Sequence, residues 1–179
     1  MRVIAGAYRG RKLLPPPGMT ARPTTDRVKE AMFGAIQFDI PGSRVLDAFA
    51  GSGALGIEAL SRGAAQVDFV EKDPACLRVL EENLKKVGAQ NARVFKGDVL
   101  KLLPGLGVYD IVLLDPPYDA GLYEAVLKAL AGGAIKSGGI VVLECRKSFD
   151  LSDMFGYNLT KRKNYGDISV AFLSYGEQA

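Results

Sequence analysis

Residues 44–53 read RVLDAFAGSG, and residues 54–62 read ALGIEALSR. The first stretch begins as a short apolar strand and ends in glycines, and the second has the composition of a helix. This order indicates a strand, a glycine-rich turn and a helix. Glycines at such a turn let a ligand approach the backbone, and the start of the helix supplies unpaired N–H donors.

The alternation of strand and helix continues outward from this stretch. We predict helices over 25–38, 54–62, 74–87 and 122–131, a short turn near 99–103, and strands over 44–48, 66–71, 92–96, 109–114 and 139–144. The apolar runs IVLL at 111–114 and IVVL at 140–143 suit strands buried on both faces. Residues 157–165 and 168–174 predict a closing antiparallel hairpin. The pattern therefore predicts an α/β protein with a mainly parallel sheet covered by helices.

The positive charge of the chain is concentrated at its N-terminus. The net charge is +3, but residues 1–30 carry seven basic and two acidic side chains, and the remainder carries 16 basic and 18 acidic ones. Such a cluster is typical of phosphate binding, although a solvated basic segment remains an alternative. We predict two short strands at 2–7 and 11–14, and we divide the chain into an extension (1–40) and a main domain (41–179). The candidate RNA-binding residues are Arg2, Arg9, Arg11, Lys12, Arg22 and Arg27.

Composition excludes several kinds of chemistry. The chain has no histidine, which removes Ser-His-Asp and Cys-His catalysis and most transition-metal sites. Cys76 and Cys145 lie far apart in apolar settings, so we predict packing roles and no metal. No apolar run is long enough for a membrane span, and we expect a soluble, cytoplasmic protein.

The glycine loop fits either a dinucleotide or S-adenosylmethionine. Gly51, Gly53 and Gly56 form a Gly-x-Gly-x-x-Gly pattern, and Glu71 follows at the end of the next strand. Asp47 would repel a pyrophosphate but could face a cationic sulfonium, which favours the methyl donor. We predict that Glu71 binds the ribose hydroxyls and that Asp98 accepts a hydrogen bond from the adenine amine. The alternative for each acid is that it caps a helix or lies in a solvated loop. The full predicted donor site comprises Thr25, Asp47, Phe49, Gly51, Gly53, Glu71, Lys72, Asp98, Val99 and Asp115.

The tetrapeptide Asp115-Pro116-Pro117-Tyr118 follows an apolar strand and is the candidate catalytic loop. An exocyclic or amide nitrogen is a poor nucleophile because its lone pair is delocalised. A carboxylate and a carbonyl oxygen can accept both of its N–H groups and aim it at a methyl carbon, while Tyr118 could stack on the planar group. The alternative is a rigid turn in which Asp115 caps a helix.

These segments resemble the RsmD family, bacterial methyltransferases that act on the guanine N2 of 16S ribosomal RNA. The resemblance rests on RVIAG at 2–6 with RGR at 9–11, RPTTDRVKE at 22–30, DAFAGSG at 47–53 and DPPY at 115–118. It covers nearly the whole chain. The last two segments are shared with many amino-methyltransferases and indicate only the class of reaction. The first two are more discriminating and narrow the range of possible substrates.

The resemblance implies a class I methyltransferase fold, with a seven-stranded Rossmann-like sheet whose last strand is antiparallel, helices on both faces and an N-terminal β-hairpin that binds RNA. It implies S-adenosylmethionine as the cofactor and a small ribosomal subunit, or its assembly intermediate, as the partner. We expect a monomer. An adenine-N6 or glutamine-amide methyltransferase, an NAD-dependent oxidoreductase and a non-catalytic RNA-binding module remain alternatives at this point.

Overall fold

The structure is a computed structural model that describes residues 1–16, 18, 26–117, 122–151 and 155–176. Within these residues, helices and strands alternate along most of the chain. Their bounds are α1 (Asp26–Ala35), β1 (Arg44–Asp47), α2 (Ala54–Ser61), β2 (Gln66–Glu71), α3 (Pro74–Val87), β3 (Ala92–Lys96), α4 (Val99–Leu106), β4 (Tyr109–Leu114), α5 (Leu122–Ala131), β5 (Ile135–Arg146), β6 (Tyr157–Tyr165) and β7 (Ile168–Tyr175). Among the described residues, no helix combines the length and the apolar character needed to cross a membrane.

The strands form one seven-stranded sheet in the order β3-β2-β1-β4-β5-β7-β6. Strands β1 to β5 pair in parallel, and β7 runs antiparallel between β5 and β6. The predicted mainly parallel sheet and the closing hairpin are therefore confirmed. The order reverses between β1 and β4, and in open α/β sheets ligands bind outside the carboxyl ends of the strands at such a point.

Two apolar clusters cover the two faces of the sheet. Alternate residues of each central strand enter different clusters, as in β1, where Val45 joins one and Leu46 joins the other. The first cluster takes its helical side chains from α1, α2 and α3, and the second takes them from α4 and α5. Helices on both faces are thus confirmed, and the central strands are buried because water reaches neither side.

Two elements are longer than we predicted. The turn expected near 99–103 is helix α4, because Asp98 caps its first turn through the Leu100 N–H (2.9 Å) and its apolar side chains pack on the sheet. Strand β5 begins at Ile135 because that residue pairs with Tyr109 before a register shift interrupts the ladder. Helix α1, by contrast, ends at Ala35, earlier than predicted.

The N-terminal hairpin is shorter than we predicted. Its two arms pair antiparallel at one bridge, between Arg2 and Lys12, with backbone bonds from Val3 to Arg11 and from Leu13 to Met1. The ladder stops there because the next backbone groups bond to helix α2 instead. Its Glu58 accepts the N–H groups of Ile4 (2.8 Å) and Ala5 (3.0 Å), and its Ser61 hydroxyl donates to the Ala5 carbonyl.

Glu58 anchors the N-terminal segment from inside the protein. Its carboxylate is fully buried, and it pairs with the equally buried Lys29 (3.2 Å) and with Arg62 (2.8 Å). Lys29 also donates to the Arg2 carbonyl oxygen. A buried charge is tolerated only when it is paired and hydrogen-bonded, and here one carboxylate receives two cations and two backbone N–H groups.

We expect Glu58→Gln to lower the free energy of unfolding by about 3 kcal/mol, since it leaves Lys29 without its buried counter-ion. Burial already lowers the pKa of Lys29, so this ammonium depends on the carboxylate to stay charged. Urea denaturation followed by circular dichroism would measure the loss. Glu82→Gln on the exposed face of α3 is the matched control, and equal stability of the two variants would contradict the assignment.

Candidate active site

The glycines of the loop after β1 meet different steric requirements. Gly53 has φ +81°, and a Cβ there would lie 2.4 Å from Leu80 Cδ1, so only glycine fits. A Cβ on Gly56 would lie 2.3 Å from the Phe69 ring, so this glycine lets α2 pack on the sheet. Gly51 has φ +54° and a Cβ would meet nothing closer than Pro16, at 4.0 Å. The backbone at Gly51 is therefore open to a ligand.

Asp47 ends β1 and is almost completely buried beneath this loop. Its Oδ2 accepts the Gly56 N–H (2.9 Å), which joins the end of β1 to the first turn of α2. Burial raises the pKa of Asp47 to about 7; the carboxylate of Glu71 adds to the rise and the bond from Gly56 opposes it. A nearby cation would favour the ionised form.

Glu71, at the end of β2, holds the glycine loop from the other side. Its Oε2 accepts the Gly51 N–H (2.7 Å), and its Oε1 accepts the N–H groups of Lys72 and Asp73 (both 2.8 Å). The carboxylate is thereby fixed at the carboxyl edge of the sheet. An oxygen held in this way still has lone-pair capacity and could accept a ribose hydroxyl.

The remaining predicted donor residues lie along the same edge. Asp98 follows β3 and caps α4, which agrees with the alternative role considered for this acid. Its Oδ1 accepts the capping hydrogen bond. Val99 is buried behind it and packs in the same apolar cluster that half-buried Phe49 contacts. The Lys72 side chain is exposed. Thr25 lies outside the described residues.

Asp115 follows β4, on the other side of the point where the strand order reverses. It is half-buried, Pro116 is buried and Pro117 is exposed, whereas Tyr118 lies outside the described residues. Burial, and then the carboxylates of Glu144 and Asp47, raise the pKa of Asp115 well above its usual range. The loop after β1 and the loop after β4 thus face one crevice.

The crevice has an acidic lining. Asp47 and Glu71 end β1 and β2, Asp115 follows β4, and Glu144 lies near the end of the neighbouring β5. Besides burial, the carboxylate of Glu71 raises the pKa of Asp47, and the carboxylates of Glu144 and Asp47 raise the pKa of Asp115. Such a lining suits a cationic ligand and opposes a pyrophosphate. The residues present therefore fit S-adenosylmethionine better than a dinucleotide. No group of three or more metal-ligating side chains occurs in the part of the chain that the structure describes.

Asn83 is a buried residue of α3 that the sequence pattern did not reveal. Its side-chain amide donates to the carbonyl oxygens of Leu14 (3.0 Å) and Ser52 (2.9 Å), and its oxygen accepts the Leu14 N–H (2.8 Å). One side chain thereby ties the N-terminal segment to the glycine loop. The available signal was helical spacing, because Asn83 falls on the same face of α3 as Leu80, Leu84 and Val87.

The basic candidates of the N-terminus that the structure describes are exposed, as RNA contacts must be. Arg9 and Lys12 lie at the surface, as does Arg27 on α1. Of the five that are described, two are partly engaged within the protein: Arg2 pairs with Asp26 (2.9 Å), and Arg11 lies over the Tyr8 ring, 5.6 Å from its centroid. Arg22 lies outside the described residues.

Comparison with known proteins agrees with this geometry. Ribosomal RNA small subunit methyltransferase D of Escherichia coli strain K12 is 44% identical over 182 aligned residues, covering 100% of this chain and 91% of that one. A solved structure of the putative methyltransferase yhhF from E. coli matches with a TM-score of 0.90 at 36% identity, covering 99% of both chains. An RNA methyltransferase from Salinibacter ruber, solved with S-adenosyl-L-homocysteine, shares the fold: TM-score 0.66, 20% identity, 88% of this chain and 96% of that one.

The fold and the crevice together define a class I S-adenosylmethionine-dependent methyltransferase, and S-adenosylmethionine is its cofactor. A family described as Conserved hypothetical protein 95 matches residues 1–174. The chain belongs to this family, and the resemblance to RsmD enzymes is confirmed.

We expect affinity for S-adenosylmethionine to fall as the pH drops below about 7. Asp47 has a pKa of about 7 in the free protein, so at lower pH it must lose its proton before it can face a cation, and the penalty grows by up to about tenfold per pH unit. Calorimetry in buffers of different ionisation enthalpy would measure the released proton. Asp47→Asn should make the affinity for S-adenosylmethionine less dependent on pH. An affinity of the wild-type protein that does not change between neutral and lower pH would contradict the expectation.

We expect Asn83→Ala to weaken donor binding about tenfold, because the glycine loop loses its bond at Ser52 and its tie to Leu14. Calorimetric titration with S-adenosylhomocysteine measures the affinity. Thermal unfolding shows whether the variant has also lost global stability, so that the two effects can be distinguished. Asn91→Ala, at an exposed position before β3, is the matched control. A variant that is less stable but binds the donor normally would show that Asn83 serves packing alone.

Proposed function

We propose that this protein transfers a methyl group from S-adenosylmethionine to the exocyclic N2 of a guanine in 16S ribosomal RNA of the small ribosomal subunit. The observation that carries the proposal is the placement of Asp115, with Pro116 beside it, directly across the strand-order reversal from the glycine loop. The whole-chain similarity to an enzyme named for the small-subunit RNA supports ribosomal RNA as the substrate.

The proposed catalytic work is orientation of a weak nucleophile. The guanine N2 lone pair is delocalised into the ring, so the amine must be turned and polarised before it can react. Asp115 and the Pro116 carbonyl oxygen accept its two N–H groups, and negative charge on the carboxylate localises electron density on nitrogen. Tyr118 stacks on the base in this proposal.

The donor supplies an electrophilic methyl carbon on a sulfonium. As the new N–C bond forms in line with the breaking C–S bond, the sulfur becomes neutral and the nitrogen gains a positive charge. The nitrogen then loses a proton to Asp115 or to water. The raised pKa of Asp115 suits this carboxylate as a proton acceptor, because a higher pKa means a stronger base.

Each donor-site residue has a proposed contact. Asp47 faces the cationic end of the donor, Glu71 binds the ribose hydroxyls, and Asp98 accepts from the adenine amine. Phe49, Lys72, Val99 and Thr25 complete the walls, and Gly51 and Gly53 allow close approach of the backbone. The acidic crevice and the bonds that fix Glu71 support this arrangement.

We further propose that residues 1–40 act as the RNA-binding extension of a catalytic domain at 41–179. Exposed Arg9, Lys12 and Arg27 would hold phosphates, with Arg2, Arg11 and Arg22 beside them. The bonds of Glu58 and Asn83 support a fixed position of this extension over the donor loop. The protein acts in this proposal as a cytoplasmic monomer.

Asp115→Asn should lower kcat for methyl transfer by about 10²- to 10³-fold, since the amide loses the negative charge that polarises the amine. Radiolabelled methyl transfer to small subunits from a strain lacking the protein would measure the rate. Affinity for S-adenosylhomocysteine should change by only a few-fold. Asp39→Asn at an exposed position is the control.

Mass spectrometry of nuclease-digested product identifies the modified base. N2-methylguanosine in the 16S RNA supports the proposal, whereas N6-methyladenosine or a methylated glutamine would replace it with the alternatives that the Asp-Pro-Pro-Tyr motif leaves open. A full rate for Asp115→Asn would exclude this residue from catalysis.

A further inference from the structure

A groove of about 600 Å³ opens at the carboxyl edge of the sheet, beyond the end of β5. Its lining residues are Arg146, Lys147, Ser148, Asp167 and Ile168. They come from the end of β5 and from the turn between β6 and β7, and none belongs to the donor or catalytic residues described above. The groove is therefore a separate surface on the same edge of the sheet.

The register of the sheet places this groove beside the catalytic loop. Leu114 pairs with Leu143, so Asp115 lies next to Glu144 and Arg146 follows two residues further along β5. Two residues of extended strand span about 7 Å. A nucleotide adjoining a guanosine held at Asp115 would reach the groove.

The backbone of the groove is held rigidly. Arg162 donates from Nη2 to the carbonyl oxygens of Lys147 (2.9 Å) and Phe149 (3.1 Å) and from Nε to the Ser169 hydroxyl (2.7 Å). The Lys147 N–H donates to the Asp167 carbonyl oxygen (2.9 Å), which closes the loop against the β6–β7 turn. Arg162 thus acts inside the protein, although it lies in a basic run of sequence.

The exposed side chains of this braced loop have the chemistry that a nucleotide requires. Arg146 and Lys147 are cations at the surface, and Ser148 adds a hydroxyl donor. Asp167 is an acceptor suited to a ribose hydroxyl or a base amine, and half-buried Ile168 gives an apolar contact. A site for phosphate alone would gain nothing from the carboxylate.

We infer that this groove binds the RNA nucleotide adjoining the target guanosine, with its phosphate on Lys147, Arg146 and Ser148 and its base or ribose on Asp167. The inference rests on the proposed function, since it adds a subsite to the same RNA-binding edge. Together with the N-terminal extension, the groove holds the RNA on both sides of the catalytic loop.

The test compares Lys147→Glu with Lys128→Glu, an equal charge reversal at an exposed position of α5. We expect Lys147→Glu to raise KM for small subunits about tenfold. The slope of log affinity against log salt concentration for RNA binding should fall by about one, which corresponds to the loss of one phosphate contact. Affinity for S-adenosylhomocysteine and kcat at saturating RNA should be preserved, and Lys147→Arg should restore KM. Identical KM and salt slopes for the two reversals would overturn the inference.

Asp167→Asn tests the nucleotide assignment itself. Loss of a base or ribose contact should weaken RNA binding several-fold, whereas a carboxylate that only repels phosphate would give tighter binding on neutralisation and overturn its assigned role. Fluorescence anisotropy of a labelled single-stranded RNA oligonucleotide measures the RNA affinity of each variant independently of methyl transfer. If wild-type protein binds this RNA through Lys147 but methylates no small subunit, the proposed function fails while the groove stands.

Discussion

The hydrogen bond from the Gly56 N–H to Asp47 Oδ2 fixes helix α2 to the end of β1, and the rest of the site depends on it. The helix can lie this close only because position 56 has no side chain to meet the Phe69 ring. Helix α2 presents the glycine loop at its first turn and carries Glu58 and Ser61 further along, which hold the N-terminal segment. A single helix thus positions both the donor loop and the proposed RNA-binding extension.

The arrangement of the sheet could be predicted from the sequence because parallel strands buried on both faces leave long apolar runs, as at 111–114 and 140–143. The strand pairing of the N-terminal hairpin could not be predicted in the same way. Whether Ile4 and Ala5 bond to a neighbouring strand or to Glu58 depends on where α2 lies in three dimensions, and periodicity does not encode that position. Asn83 escaped prediction for the same reason, since its partners are 31 and 69 residues away.

The candidate site was predictable in position but not in electrostatics. Asp47 and Glu71 end β1 and β2, and Asp115 directly follows β4. The topology of a parallel sheet brings the carboxyl ends of such strands to one edge. The raised pKa values of Asp47 and Asp115 instead arise from burial and from the distances between carboxylates in the folded chain. Asp98 shows a related ambiguity, because an acid at a helix start caps that helix whether or not it also contacts a ligand.

The segregation of charge reconciles two opposed demands on one small domain. A cationic donor favours carboxylates at the crevice, yet the same carboxylates repel the phosphates of an RNA substrate. In the arrangement we propose, the acids stay at the strand ends, while cations stand at the N-terminal segment on one flank and at Lys147 on the other. The RNA backbone is then held away from Asp115 and only a neutral base enters the crevice. The small net charge of +3 conceals this separation, because acidic and basic groups nearly cancel over the whole chain.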